Sequence, residues 1–161
     1  MATRKYLMRG LVFGRGDTGV GAGEIRDLQR DLRALGYLGK GIDGKFGRQT
    51  EKAVKALQYD LMNNDGRSRG NDGDAGVRVV DFNKGRIVGV TGAVDQKLAG
   101  CLADMLDHPD FPLLPKADHP KEENTRIVDL MKNMPSQTVP IPFIMAMLKQ
   151  ESNLRHYNEP R

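Results

Sequence analysis

The stretch IRDLQRDLRALGYLGKGIDGKFGRQTEKAVKALQYDL, residues 25 to 61, decides the fold. It holds two amphipathic patterns joined by a glycine-rich connection that ends in DGKFG. The apolar side chains of the first pattern recur at helical spacing, at Ile25, Leu28, Leu32 and Leu35. Those of the second are Ala53, Val54, Leu57 and Leu61. The spacing predicts two helices, each with one face to bury.

Glycines mark where these two helices end and begin. Gly36 follows the last apolar residue of the first pattern, where a left-handed residue commonly ends a helix. Asp43-Gly44 predicts a turn, and Gly47 predicts the N-cap of the second helix. Thr50 then falls in the first helical turn, where a hydroxyl suits the unpaired backbone N–H groups.

These residues closely resemble the peptidoglycan-binding domain found beside many cell-wall hydrolases, with its pattern LQxxLxxLGY, a short loop and DGxFGxxTxxAVxxxQ. The matching positions are Leu28-Gln29, Leu32, Leu35-Gly36-Tyr37, Asp43-Gly44, Phe46-Gly47, Thr50, Ala53-Val54 and Gln58. The resemblance implies a small three-helix bundle that binds peptidoglycan, through its glycan strands or its peptide stems. Candidate contacts are the polar and aromatic side chains around the turn, namely Gln29, Arg33, Tyr37, Asp43, Arg48 and Gln49. Asp43 and Tyr37 also have a structural alternative, which is to fix the turn and cover the core.

A third helix is expected from Val94, Leu98, Cys101, Leu102 and Met105. Residues 88–95 can be laid over residues 43–50 at a shift of 45, which predicts a half-repeat with Leu102 opposite Leu57. Between the second and third helices, residues 63–76 predict a polar loop, and VRVVDF and RIVGV on either side of Asn83-Lys84-Gly85 predict a β-hairpin. The mainly α bundle is therefore predicted to span residues 1–107, with a loop and hairpin insertion at about residues 63–90.

Composition limits the classes of partner. The 161-residue chain has a net charge of +4, and no apolar run approaches the roughly 18 residues of a membrane helix. Basic and acidic residues alternate along the helices, and no zinc spacing, aromatic RNA-binding signature or Trp is present. These features predict neither a nucleic-acid partner nor membrane insertion.

The sequence also bears on export and cofactors. The N-terminus lacks the features of a secretory signal, so we expect action at the cell wall or periplasm after release by phage lysis or a dedicated secretion system. Cys101 predicts a buried apolar residue and not a nucleophile, and His108 and His119 lack metal-ligand spacing. No metal or other cofactor is expected.

Four prolines in residues 107–124 predict an extended linker or an arm strapped onto the bundle, with boundaries at 108–124. Helical spacing resumes over residues 125–161. In the helix that begins near Pro142, Glu151 lies at i+7 from Ile144, on the apolar face. Such a carboxylate should have a raised pKa suited to proton donation, although a surface glutamate at a frayed helix end has the same pattern.

The segment IPFIMAMLKQESNLRHYN resembles the opening of the soluble lytic transglycosylase domain, a lysozyme-like fold whose first motif is a helix ending in Glu-Ser. The resemblance implies that Glu151, followed by Ser152, is the sole catalytic acid/base in a glycan cleavage that leaves a 1,6-anhydro end. The chain stops ten residues later without the motifs that shape the sugar cleft, which predicts a fragment that binds without turnover.

The two resemblances together predict a cell-wall-targeting module joined to the start of a lytic transglycosylase, as in a phage endolysin or an injected effector. The alternative is a non-catalytic peptidoglycan-binding or scaffold protein whose C-terminal segment packs on the bundle.

Overall fold

The computed structural model describes residues 6, 12–17, 19–39, 42–65, 76–111, 113, 140 and 142–143. Within these residues the elements are helix α1 (Ala22–Ala34), helix α2 (Arg48–Asn63), a short 3-10 helix (Val79–Phe82) and helix α3 (Gln96–Asp107). The mainly helical prediction is confirmed.

The end of α1 shows why a glycine is required there. Gly36 has a φ of 88°, and its N–H donates to the Arg33 carbonyl at 2.9 Å. The N–H of Tyr37 donates to the Leu32 carbonyl at 2.9 Å. This pair of bonds satisfies helix-end carbonyls and turns Tyr37 and Leu38 back into the core, where both are buried.

The core is built from the predicted apolar faces. The predicted side chains of all three helices are buried, from Ile25 at 5% exposure to Leu28, Leu57 and Leu102 at 0%. Each fully buried aliphatic side chain contributes about 1.5–3 kcal/mol, so these faces are the main favourable term in folding. Cys101 is buried as predicted, and burial is the largest cause of its raised thiol pKa.

The predicted β-hairpin is wrong for the residues that the structure describes. Val79–Phe82 forms a 3-10 helix, with Val79 and Phe82 in the core. Only the turn at Asn83–Gly85 survives from the prediction, with Lys84 at φ 50° and Gly85 at φ 74°. The β-branched run indicated burial. The 3-10 helix is buried by packing between α2 and α3 instead of pairing as a strand.

Asn83 and Arg86 fasten this insertion to the helices. The amide of Asn83 donates to the carbonyls of Leu61 at 3.1 Å and Ile87 at 3.0 Å, and its oxygen accepts from the Ile87 N–H at 2.6 Å. Arg86 donates to the Phe82 carbonyl at 2.8 Å and to Asp104 on α3 at 2.7 Å. Side-chain hydrogen bonds of Asn83 and Arg86 thus hold the insertion in place, where a hairpin would use backbone hydrogen bonds between strands.

Segments outside the three helices also enter the core. Phe13 exchanges two backbone hydrogen bonds with Val94, at 2.9 and 2.7 Å, and packs edge-on against Phe46 with ring centroids 6.1 Å apart. Phe111 lies in the predicted linker, yet it is buried against Phe82 at 5.6 Å. Phe143 is buried against Phe111, also at 5.6 Å. The start of the predicted linker therefore packs on the bundle through Phe111, and the linker and its boundaries stay a prediction.

Candidate ligand-binding site

The DGKFG turn is held by one buried side chain from α1. The Oε1 of Gln29, which is 0% exposed, accepts from the backbone N–H groups of Asp43 at 3.1 Å and Gly44 at 3.0 Å. Its Nε2 donates to Asp43 Oδ1, the Lys45 carbonyl and Thr50 Oγ1, at 3.0 to 3.1 Å. One amide thus fixes both the turn and the first turn of α2, and we call this arrangement the first clamp.

Gly44 is required by both space and conformation. Its φ is 75°, a region that costs L-residues about 1–2 kcal/mol. A Cβ at this position would lie 2.9 Å from the Ala22 carbonyl oxygen and 3.1 Å from the Ala22 Cβ. The turn therefore lies directly against the first residue of α1.

Asp43 closes the turn and remains exposed. Its Oδ1 accepts from the Lys45 N–H at 2.9 Å, the local bond by which Asp favours turns. Partial desolvation acts to raise the pKa of Asp43, but hydrogen bonds from the Lys45 backbone and Gln29 outweigh it, so the pKa lies below its ordinary value. The carboxylate is therefore charged at neutral pH and faces solvent.

A second clamp of the same design lies between α2 and α3. Gln58 accepts from the N–H groups of Thr91 and Gly92, both at 2.9 Å, and donates to Thr91 Oγ1 at 3.0 Å and the Ala93 carbonyl at 3.2 Å. Thr91 Oγ1 accepts from the Ala93 N–H at 3.2 Å, and Gly92 has a φ of 78°. This turn leads into α3 as the first leads into α2.

The second clamp corrects the register of the predicted half-repeat. Thr91–Asp95 corresponds to Asp43–Gly47, a shift of 48 residues and not 45, and Met105 takes the place opposite Leu57. The prediction paired Gly89 with Gly44, but it is Gly92 that has the positive φ of Gly44. Asp95 caps α3 as Gly47 caps α2, and its carboxylate also accepts from the Leu98 N–H at 2.8 Å.

The predicted contact residues divide into buried and exposed sets. Gln29, Arg33 and Tyr37 are buried at 0%, 7% and 0% exposure, so the structure places these three side chains in the interior and not on the surface around the turn. Gln29 and Tyr37 stand at positions of the family pattern because Gln29 holds the turn and Tyr37 fills the core. Asp43, Arg48 and Gln49 are exposed around the first turn and stay candidates. Thr50 is buried, and its hydroxyl accepts from Gln29.

Tyr37 reaches across the bundle to a buried acid on α2. Its hydroxyl donates to Asp60 at 2.6 Å, and Asp60 also accepts from Asn64. Complete burial, then the nearby Asp60 charge and the hydrogen bond to it, raise the pKa of Tyr37 well above its ordinary value. Tyr6 donates to buried Asp31 on α1 in the same manner. Each of the two helices thus carries a buried acid paired with a tyrosine.

Asp31, Asp60 and the role of Gln58 in a second clamp were not predicted, although the sequence carries a signal for them. The segment IRDLQRDL in α1 and the segment VKALQYDL in α2 repeat the pattern LQxDL at a spacing of 29 residues. This repeat aligns Gln29 with Gln58 and Asp31 with Asp60. This internal repeat is the signal that marks both pairs.

The surface around the clamps is polar and open. A shallow groove of about 410 Å³ runs along the outer side of α1, lined by Gly21, Gly23, Glu24, Arg26, Asp27 and Arg30. Across the described ranges, no group of three or more His, Cys, Asp or Glu side chains could hold a metal ion. Nor does any helix in the described part of the chain have the length and apolarity to cross a membrane.

Residues 21–62 match the family model of the peptidoglycan binding domain. The match covers 42 of the 161 residues, about a quarter of the chain. The match runs from the residue before α1 to the last turn of α2, so it contains the first clamp and ends before the second turn. Searches of curated proteins and of solved structures found no match.

The predicted catalytic residue Glu151 lies outside the described residues. None of the comparisons matches a lytic transglycosylase domain after the peptidoglycan-binding domain. The enzymatic part of the sequence interpretation therefore remains a prediction.

Proposed function

We propose that this protein binds bacterial cell-wall peptidoglycan through the exposed face of the first clamp. The family match over residues 21–62 carries the proposal. In that segment Gln29 and Gly44 fix the backbone of the turn, and Asp43, Arg48 and Gln49 extend from it into solvent. A rigid turn that presents charged and amide groups suits a ligand rich in hydroxyl, amide and carboxyl groups, because little side-chain ordering is left for binding.

Co-sedimentation of the full chain with purified sacculi tests this proposal. The double variant Arg48→Ala/Gln49→Ala should reduce the pelleted fraction. The matched control is Gln96→Ala/Lys97→Ala, since these exposed residues begin α3 as Arg48 and Gln49 begin α2. A wild-type chain that stays in the supernatant at low salt would refute wall binding, whereas equal losses in both variants would refute the choice of the first turn.

The finer proposal is that the bundle targets a lytic transglycosylase to its substrate, which raises the local concentration of the enzyme at the wall. The resemblance of the segment around Glu151 supports it. In a polypeptide that carries a complete transglycosylase domain, Glu151 would protonate the glycosidic oxygen as general acid. Glu151→Gln should abolish release of anhydromuropeptides, detected by mass spectrometry, and leave sedimentation with sacculi unchanged. Unchanged anhydro products from that variant would remove Glu151 from the mechanism.

A non-catalytic scaffold is the second candidate function, and the position of Phe143 favours it. Phe143 comes at the start of the segment that resembles the enzyme, yet it is buried with Phe111 in the core of the bundle. If the segment only completes the bundle, Phe143→Ala should lower the free energy of unfolding by about 3 kcal/mol and weaken wall binding no further than this destabilisation explains. Anhydro products that depend on Glu151 would exclude this function.

A further inference from the structure

The outer face of α2 carries a row of cations that ends in a tyrosine. Arg48, Lys52, Lys55 and Tyr59 lie at i, i+4, i+7 and i+11, and all four are exposed. At 1.5 Å rise per residue the row is about 16 Å long. It begins beside the first turn, so it continues the surface proposed to bind the wall. We call these four residues the α2 stripe.

Few carboxylates neutralise the stripe. Within the described residues, neither Arg48 nor Lys52 forms an ion pair. Glu51 lies at the edge of the stripe and is shared, since its two oxygens lie 3.5 Å from Lys55 Nζ and 3.5 Å from Arg15 Nη1. One carboxylate therefore serves two cations, and the stripe retains an excess of positive charge.

The corresponding face of α1 is charged in a different way. By the 29-residue repeat, Lys52, Lys55 and Tyr59 correspond to Gly23, Arg26 and Arg30. On α1 the acids Glu24 and Asp27 are interleaved with the arginines, and Asp27 pairs with Arg30 at 3.4 Å. Two helices with the same internal design thus differ on their outer faces, and the cation row belongs to α2.

We propose that the α2 stripe binds the carboxylates of the peptide stems of the wall, an inference that rests on the proposed function. Charge complementarity supports it, because the stems are anionic and the stripe is an open cationic row. Tyr59, 39% exposed, adds an apolar ring with a polar tip at the end of the row, suited to contact the aliphatic parts of a stem. The α2 stripe therefore recognises the charged peptide stems of the wall and not its sugar backbone.

The test compares two double variants that each remove two positive charges. Lys52→Gln/Lys55→Gln should bind sacculi roughly five- to tenfold more weakly at low salt, because each exposed ion pair contributes modestly. Arg26→Gln/Arg30→Gln on α1 is the control and should bind less than about twofold more weakly, because its positions lie outside the stripe. Added salt should weaken the wild type more than the stripe variant. Thermal unfolding should be nearly unchanged in both, since all four residues lie on the surface.

A chemical change in the ligand completes the experiment. Sacculi whose stem carboxyls have been amidated should bind the wild type as weakly as native sacculi bind the stripe variant. Equal binding of both variants to native sacculi, or wild-type binding that amidation leaves unchanged, would overturn the stripe and leave wall binding intact. Stronger retention of the wild type on duplex DNA than on sacculi would also overturn the stripe proposal. Failure of the wild type to bind any sacculi would instead refute the proposed function itself.

Discussion

The first and second clamps perform the same structural task with different residues. In each, a fully or nearly buried glutamine accepts from two successive backbone N–H groups, the second of which belongs to a glycine with a φ of 75° or 78°. The residue before that glycine is Asp43 in the first and Thr91 in the second. Its side chain accepts from the backbone two residues later in both cases.

The difference separates what the fold needs from what remains free for function. Thr91 satisfies its turn without a charge, so the geometry of the turn does not require the carboxylate of Asp43. The chain from Gln58 to its turn at Thr91 is also 19 residues longer than the chain from Gln29 to its turn at Asp43. The longer connection contains the 3-10 helix. Only the short connection falls inside the peptidoglycan-binding domain match.

Removal of the glutamines should have the largest effect. Gln29→Leu should lower the free energy of unfolding by about 3 kcal/mol, because the buried N–H of Gly44 and two carbonyl or hydroxyl acceptors lose their partner. Gln58→Leu should cost about 2 kcal/mol, since Gln58 donates to two acceptors and Gln29 to three. Urea unfolding monitored by circular dichroism measures both. A Gln58 variant as stable as the wild type would mean that the second clamp is not a structural equivalent of the first.

Alanine at the two glycines should distinguish the clamps by what surrounds them. Gly44→Ala should cost about 2–3 kcal/mol, from the positive φ and from close contact with the Ala22 carbonyl oxygen. At Gly92 the nearest atoms to a Cβ are side-chain carbons, Lys55 Cε at 2.8 Å and Glu51 Cγ at 2.9 Å, which can move aside. Gly92→Ala should therefore cost only about 1–2 kcal/mol. The reverse order in thermal unfolding would contradict the contacts at Gly44.

Loss of one tyrosine hydroxyl should have a smaller, pH-dependent effect. Tyr37→Phe should cost about 1–2 kcal/mol at pH 7, because Asp60 loses a buried donor and keeps Asn64. The raised pKa of folded Tyr37 means that its contribution is complete below the unfolded value of about 10 and is lost as the pH rises above it. The stability difference between wild type and variant should therefore shrink above about pH 10. Tyr6→Phe is the matched variant on the Asp31 side, and a pH-independent difference for Tyr37→Phe would contradict the assignment.

The sequence predicted the helical faces because their apolar spacing depends on local geometry alone. Leu28, Leu57 and Leu102 were all placed correctly, and Gly36 and Gly47 were found at the helix boundaries. The shift of 45 residues failed because glycine identity does not report φ, and only Gly92 adopts the conformation of Gly44.

The hairpin was wrong, and three of the predicted contact residues proved to be buried, for different physical reasons. A β-branched run such as Val79-Val80 indicates burial, but burial between two helices and pairing in a sheet give the same local pattern. Gln29 and Tyr37 are polar residues at patterned positions, and such residues serve a ligand or a buried hydrogen bond equally well in sequence terms. Partners 14 to 23 residues away decide between these roles, and those contacts exist only in the folded chain.

The smallest effect on stability is expected at Asp43, where the comparison of the clamps is sharpest. Asp43→Thr copies the second turn into the first and keeps an acceptor for the Lys45 N–H, so at pH 7 the stability should change by less than about 0.5 kcal/mol, as at other solvent-screened surface sites. Because the pKa of folded Asp43 is lowered, its contribution is present above the unfolded value of about 3.9 and is lost as the pH falls through the folded value. The wild type and the Asp43→Thr variant should therefore differ in stability by a constant amount from pH 7 to about pH 4 and converge only at lower pH.

If the carboxylate of Asp43 contacts the ligand, Asp43→Thr should bind sacculi roughly threefold more weakly than the wild type. Adding Thr91→Asp to this variant should not restore binding, because it places the carboxylate at the second turn. A loss of stability above about 1 kcal/mol at neutral pH would show that the carboxylate is structural, and unchanged sedimentation would remove Asp43 from the binding surface.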